Sequence, residues 1–171
     1  MNHFQSLKTL SYVQVRRILR IWIQTIIPPA ITTALYFLIF GELIGSRIGE
    51  MPGYEGLTYL EFMVPGLIML AVITNSYANV ASAFFGAKFQ KAIEEILISP
   101  MANWAILLGF IAGGIARGVL VGVVVVLVSL FFTNFGISNI FLTLFSILLT
   151  YTLFSILGLI NGMYAKTFDD I

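Results

Sequence analysis

Few residues of this sequence could carry out chemistry, and they are scattered along the chain. Its 171 residues include one histidine, His3, and no cysteine, which excludes disulfides and thiolate metal sites. No Gly-x-x-x-x-Gly-Lys-[Ser/Thr] phosphate loop occurs, and neither a Ser/His/Asp nor a His-Glu-x-x-His arrangement can be assembled. The sequence therefore predicts a protein that is not an enzyme by itself and that holds no metal or cofactor.

Three polar residues, Asn75, Asn79 and Ser82, interrupt one broad face of a long apolar segment. In such a segment, polar side chains either hydrogen-bond to a neighbouring helix or line a path for a solute. Bonding between helices is the commoner use. A substrate path through these three residues is the second interpretation.

Arg117 lies inside another long apolar segment. An arginine at the middle of a bilayer costs about 2.5–3.5 kcal/mol on insertion scales, and no acidic residue lies in an apolar segment to pair with it. We expect a structural or gating role inside a helix bundle. The alternative is a side chain that snorkels to the nearer interface.

The same segment carries Gly114, Gly118 and Gly122 at four-residue intervals. Small residues at this spacing form a flat helix face that lets another helix approach closely. The spacing favours helix packing, and a mobile joint is the weaker interpretation.

The composition places these residues in a membrane. Hydrophobic residues make up 59% of the chain and charged residues only 10%, whereas a soluble domain has roughly 25% charged residues. The net charge of +1 and the lack of a basic run give no indication of nucleic-acid binding. Because a span needs about 20 apolar residues, we predict an all-α polytopic transmembrane helix bundle. Its predicted spans are 22–40, 62–85, 104–132 and 140–164.

The distribution of Lys and Arg predicts the orientation of the spans. One side of the predicted topology carries Lys8, Arg16, Arg17, Arg20, Lys88, Lys91 and Lys166, and the other side has Arg47. Positively charged loops stay in the cytoplasm, so both termini are expected there. Residues 1–21 are predicted to form a helix in the interface among the lipid head groups. The alternative is a charge cluster that only orients the first span.

Residues 86–101 connect the second and third spans and have an amphipathic pattern. Phe89, Ile93, Ile96 and Leu97 share one side of a helix, and Pro100 limits its C-terminal end. A short helix of this kind docks into a groove on a soluble partner or lies flat on the membrane. The pattern alone leaves both interpretations open.

Seven stretches of the sequence resemble the ABC-2 type transporter permeases, in the branch of small bacterial inner-membrane permeases. They are Arg20–Pro29, Phe40–Gly49, Val64–Met69, Asn75–Ala81, Phe84–Gln90, Ile93–Leu97 and Ala165–Ile171. The resemblance implies the transmembrane subunit of an exporter in the bacterial inner membrane, with ATP and Mg²⁺ bound by a separate ATP-binding subunit. It also implies two permease chains in each transporter and six spans, so this chain is expected to be a partial permease.

The resemblance further implies that residues 86–101 contain the coupling helix that rests on the ATP-binding subunit. Its expected contact residues are Lys88, Lys91, Glu94, Glu95, Leu97 and Pro100. Two other classes remain as alternatives: an oligomeric channel that works without a partner, and a membrane scaffold or assembly factor that moves no solute.

Overall fold

A computed structural model describes residues 3–45, 56, 58–133, 136 and 139–171, and the regular elements of these residues are helices. Arg47 lies outside the described residues. The helices are α1 (His3–Arg20), α2 (Trp22–Tyr36) with a π-helical continuation (Phe37–Gly45), α3 (Tyr59–Phe89), α4 (Ala92–Ile98), α5 (Asn103–Phe132), α6 (Ile140–Tyr164) and a terminal 3₁₀ turn (Phe168–Asp170).

Four helices of the described chain are long and apolar enough to cross a membrane: Trp22–Gly41, α3, α5 and α6. The predicted all-α bundle of four spans is therefore confirmed. The first span has 20 residues, or about 30 Å of helix, which matches the hydrocarbon core. α5 has 30 residues, or about 45 Å, so it extends beyond the hydrocarbon core.

The start of α3 explains why this helix is longer than the predicted span 62–85. Thr58 and Glu61 form a capping box, in which each side chain accepts a hydrogen bond from the backbone N–H of the other. The Thr-x-x-Glu pattern that makes this cap is visible in the sequence. Because the cap satisfies the first free N–H groups, the helix begins at Tyr59, before the apolar run.

α5 lies at the centre of the bundle and packs against α1, α2, α3 and α6. Two clusters of buried side chains stack along it. The cluster nearer the α3 start contains Val64, Val72, Val121, Val125 and Tyr151, with the Phe37 and Phe132 rings stacked beside it. The cluster nearer α4 contains Val80, Ala83, Ile106, Phe110 and Leu159. The side of the bundle that carries α4 is called the α4 end below.

α1 packs lengthwise on the first half of α5 and runs in the same direction. A side chain at Gly109 would collide with Leu10, and one turn later a Cβ at Gly113 would stand 3.0 Å from Gln14 Cβ. The opposite side of α1 leaves Tyr12 and Leu19 exposed. α1 therefore has one face covered by α5 and one apolar face open, and its placement in the membrane interface stays a prediction.

Candidate functional site

The glycine face of α5 meets both α3 and α6. Side chains of Val80 and Ser155 pack on Gly114, and Ser76 and Tyr151 pack on Gly118. At Gly122 an added Cβ would stand 2.6 Å from the Tyr151 hydroxyl, which itself donates a hydrogen bond of 2.9 Å to the Gly118 carbonyl. The three glycines thus lie where neighbouring helices approach the α5 backbone most closely.

A second close approach joins α3 and α6 and was missed from the sequence. Gly158 lies directly against the Tyr77 carbonyl, and a Cβ at Gly162 would stand 2.9 Å from the Ala81 carbonyl. Both contacts are with backbone atoms, which cannot move aside as a flexible side chain can. The Gly-x-x-x-Gly spacing of these two residues was the available signal.

An open cavity of about 460 Å³ separates α2 from α3 on the other side of α5. Its lining includes Asn75 and Thr74 of α3, and Arg117 of α5. From α2 it takes residues four apart, namely Gln24, Pro28, Thr32 and Tyr36. The neighbouring row of α2 residues, Ile23, Ile27, Ile31 and Leu35, is exposed and entirely apolar. α2 therefore presents a mixed, partly polar face to the cavity and an apolar face to the surroundings.

Sequence reasoning missed the contribution of α2 to this cavity. Gln24, Thr32 and Tyr36 are polar residues on one face of an otherwise apolar span, a pattern that indicates a neighbouring helix or a wet cavity. Pro28 and Pro29 also lack the N–H that would bond to the carbonyl four residues earlier. The carbonyls of Gln24 and Thr25 therefore lack the N–H four residues later that bonds to a carbonyl in a regular helix.

The predicted substrate-path residues do not form one surface. Asn75 lines the cavity and donates to the Ala71 carbonyl of its own helix. Asn79 is buried, with 2% of its surface exposed, and its Oδ1 accepts a hydrogen bond of 3.4 Å from Arg17 of α1. Ser82 is exposed and bonds to the Ala78 carbonyl. Only Asn75 belongs to the cavity wall, and Asn79 belongs to a polar cluster beneath α1.

This polar cluster joins three helices. It contains Gln14 and Arg17 of α1, Asn79 of α3 and Arg117 of α5. Gln14 Oε1, Asn79 Nδ2 and Arg117 Nε are all buried without a hydrogen-bond partner. Partial burial, and then the nearby positive charge of Arg117, lower the pKa of Arg17 from its usual value. The cluster is positively charged and incompletely hydrogen-bonded.

α4 is a short helix at the end of the bundle with two different faces. Ile93 and Ile96 pack against the buried cluster nearer α4. Glu94, Glu95 and Leu97 point outward and are exposed, so Leu97 is not on the packed face with which the sequence pattern grouped it. Lys91 and Pro100, at the two ends of the helix, are also exposed.

Lys88 forms two hydrogen bonds with another part of the same chain. Its ammonium donates hydrogen bonds of 2.9 and 2.8 Å to the carbonyls of Met163 and Ala165 at the C-terminal end of α6. Cations are favourable at this end of a helix because its carbonyls are unpaired. Lys88 therefore ties α3 to α6, and it is set apart from the outward face of α4.

The residues after α6 fold back onto α3. The Phe168 ring lies edge-on to Phe85 and Phe89, with ring centroids 4.9 and 5.0 Å apart. The Asp170 carboxylate accepts the backbone N–H groups of Thr167 and Lys166, which lower its pKa. In the described part of the chain, no three His, Asp or Glu residues group to hold a metal.

The family described as ABC-2 type transporter matches residues 5–171, nearly the whole chain. The chain belongs to the ABC-2 type transporter family. It is 52% identical over 169 residues to the "Inner membrane transport permease YadH" of Escherichia coli (strain K12), and equally to that of Shigella flexneri. The match covers 99% of this chain and 65% of the length of each relative. No solved structure matches the chain.

Two features of the described structure are candidates for function. One is the cavity between α2 and α3 with Arg117 in its wall, and the other is the outward face of α4. The glycine contacts hold α3, α5 and α6 together. An arrangement of this kind can bind a solute on one side and a soluble protein at one end.

Proposed function

We propose that this chain is the transmembrane permease subunit of an ABC-2 type exporter in the bacterial inner membrane. A separate ATP-binding subunit hydrolyses ATP, and the chain itself binds neither ATP nor Mg²⁺. Its family membership and its similarity to inner membrane transport permeases support this function. The observation that carries the proposal is the outward face of α4.

α4 is anchored on one side and free on the other. Ile93 and Ile96 pack against the bundle, so this side of α4 is not the side that would face lipid if the helix lay flat on the membrane. The outward face of α4 has two exposed carboxylates and two exposed apolar side chains, those of Glu94, Glu95, Leu97 and Ile98. A groove with basic residues at its rim and an apolar floor complements this surface.

The position of α4 would let a partner act on the cavity. Its anchoring residues touch the cluster that includes Ala83 of α3 and Phe110 of α5. Both helices also border the cavity, which contains Asn75 and Arg117. A push on α4 therefore reaches the cavity through packed side chains. For transport, nucleotide binding must favour one arrangement of these helices over another.

A complete transporter of this type has two copies of the permease and two ATP-binding subunits, and we propose the same assembly here. The predicted cytoplasmic position of both termini agrees with this, because it places α4 on the side where ATP is available. Lipid surrounds the exposed apolar side chains of α2 and α6.

The test is co-purification of the chain with its ATP-binding subunit from bacterial membranes. We expect Glu94→Lys together with Glu95→Lys to reduce the retained ATP-binding subunit at least about tenfold, because two charge-assisted contacts become repulsive. Amounts of the chain in the membrane should not change, since both side chains are exposed.

The matched control is Asp169→Lys, an exposed charge reversal at the same end of the bundle. It should leave the retained ATP-binding subunit at the wild-type amount. Equal retention by the double variant and the wild type would contradict the docking role of α4. Conductance of reconstituted chain without nucleotide or partner would instead indicate a channel, and binding of a partner without ATP-dependent solute movement would indicate a scaffold.

A further inference from the structure

Two arginines that are one hundred positions apart in the chain meet beside the cavity. Arg17 of α1 donates a hydrogen bond to Asn79, and its pKa is lowered by burial and then by the positive charge of Arg117 nearby. Arg117 also forms part of the cavity wall. Two like charges thus lie near each other, Arg17 with an exposed side and Arg117 half-buried, and their repulsion is less screened there than in bulk water.

The surrounding groups do not compensate for these charges. Asn79 Nδ2 and Arg117 Nε are buried donors without an acceptor. Outside residues 42–44, the acidic side chains of the described chain lie in the cap of α3, in α4 and in the terminal 3₁₀ turn, and the described cavity wall that contains Arg117 has no carboxylate. Buried donors without acceptors are rare in native proteins, and either ordered water or a bound group satisfies them.

Gln14 completes the cluster. A Cβ at Gly113 would stand 3.0 Å from Gln14 Cβ and 3.6 Å from Asn79 Nδ2, so the two amides lie on the same patch of α5. Gln14 Oε1 is buried and unpaired. A half-turn of this amide would present its NH₂ group in place of the oxygen, which adds a further donor.

We propose that Arg17, Asn79 and Arg117 form a binding site for the phosphate group of a phosphate ester. Guanidinium groups match phosphate oxygens because they are planar, permanently charged and able to donate two parallel hydrogen bonds. A phosphate supplies the negative charge that the cluster lacks, and acceptors for the unpaired donors Asn79 Nδ2 and Arg117 Nε. The open side of Arg17 and the cavity beside Arg117 give the ligand access.

The depth of the site admits two sources of phosphate. Arg17 precedes the first span, which begins at Trp22, and so lies near the boundary of the hydrocarbon core on the α4 side. The Phe37 ring of the first span stacks on Phe132 of α5, and Arg117 precedes Phe132 by about as many residues as Trp22 precedes Phe37, so Arg117 lies near the level of Trp22 and of the same boundary. A phospholipid head group of that leaflet reaches this level, and so does a phosphorylated solute that enters the cavity.

The experiment measures binding to the whole chain, purified in a neutral detergent and freed of lipid. Three probes distinguish the sources: dihexanoyl phosphatidic acid, inorganic phosphate, and dihexanoylglycerol, which has no phosphate. We expect phosphatidic acid to bind and dihexanoylglycerol not to bind. Binding of phosphatidic acid alone identifies a lipid head group, whereas binding of inorganic phosphate as well identifies a soluble phosphorylated ligand. No binding of either phosphate compound overturns the proposal.

Variants locate the site. Arg17→Gln and Arg117→Gln should each weaken the binding of phosphatidic acid at least about tenfold, because each removes a charge-assisted contact. Arg117→Lys should weaken this binding less, since the positive charge remains and only the paired hydrogen bonds of the guanidinium are lost. The control is Arg16→Gln, which changes an exposed arginine on the same helix and should leave affinity unchanged. An equal loss in Arg16→Gln would reveal only general attraction to a basic helix and would overturn the proposal.

Thermal stability separates a ligand site from a structural one. Without any phosphate compound, Arg117→Gln should melt at the same temperature as the wild type or higher, because a repulsive charge is gone. Adding phosphatidic acid should raise the melting temperature of the wild type and not that of this variant. If Arg117→Gln unfolds, Arg17→Gln on the peripheral helix carries the same test. Wild-type affinity in a destabilised Arg17→Gln or Arg117→Gln variant would assign the arginines to structure and overturn the proposal.

Discussion

On the side of α5 that faces α3 and α6, Gly114 and Gly118 bring helices together without a gap. On the side that faces α2, Arg117 lies in the wall of a cavity of about 460 Å³. One helix thus joins a tightly packed region to a loosely packed one. We name them the glycine side, which includes the contact of Gly158 of α6 with Tyr77 of α3, and the cavity side.

The difference shows how a short chain can be both rigid and open. On the glycine side, small residues let the helix backbones approach closely and make dispersion contacts. These contacts hold the helices together because no hydrophobic effect drives helices to associate in lipid. On the cavity side, α2 and α3 are kept apart, and polar residues such as Asn75 and Thr32 line the space between them. α2 still packs against α5, and the Phe37 ring stacks on Phe132, so the open space is confined to the gap between α2 and α3.

The largest expected effect is on the glycine side, at Gly158. Gly158→Ala places a methyl group against the Tyr77 carbonyl, so one backbone must move away from the other. We expect the free energy of unfolding in an SDS titration to fall by about 1–3 kcal/mol, the usual range for overpacking.

Gly86→Ala is the matched control, because Gly86 is also helical and an added Cβ there meets nothing within 4 Å. It should leave stability unchanged or raise it by up to about 1 kcal/mol through better helix propensity. If the two alanine variants lose the same stability, close packing does not distinguish Gly158.

A smaller effect is expected for the single hydrogen bond on the glycine side. Tyr151→Phe removes the hydroxyl that donates to the Gly118 carbonyl at 2.9 Å while keeping the ring in its buried position. The same titration should show a loss of about 1 kcal/mol. Tyr164→Phe, at a tyrosine that is 80% exposed, should change nothing. No difference between these variants would mean that the ring, and not the hydroxyl, holds α6 to α5.

The smallest effect is expected on the cavity side. Thr74 lines the cavity and bonds only to the Leu70 carbonyl of its own helix. Thr74→Leu adds bulk where space exists, so the unfolding free energy should stay within about 0.5 kcal/mol of the wild type. A loss as large as that of Gly158→Ala would show that the cavity is closed in the membrane and that the two sides of α5 do not differ.

Several features of the site could be read from the sequence because they depend on neighbours along one helix. The spacing of Gly114, Gly118 and Gly122 indicates a flat face before any partner is known. The Thr58–Glu61 capping box and the Gly158–Gly162 pair were equally readable, although they were overlooked. The polar row of α2 is a further signal of this local kind.

Other features depend on the path of the chain and were not predictable. Leu97 belongs by spacing to the same helix side as Ile93, yet the bundle covers Ile93 and leaves Leu97 exposed, because the tilt of a seven-residue helix is set by its anchors. The resemblance implied a contact of Lys88 with a partner, which stays a prediction. The hydrogen bonds of its ammonium to carbonyls at the end of α6, far along the chain, could not be read from the sequence.

The sequence alone determined that this protein is a helical bundle in a membrane, because 59% hydrophobic residues in runs of about 20 can be satisfied only by lipid and by internal backbone hydrogen bonds. The tertiary structure alone decided which polar groups meet. Arg117 looked like one charge without a partner, and the packing of α1 along α5 brought Arg17 and Asn79 to it. Contacts between distant helices depend on how their faces fit, and periodicity within one helix carries no record of that fit.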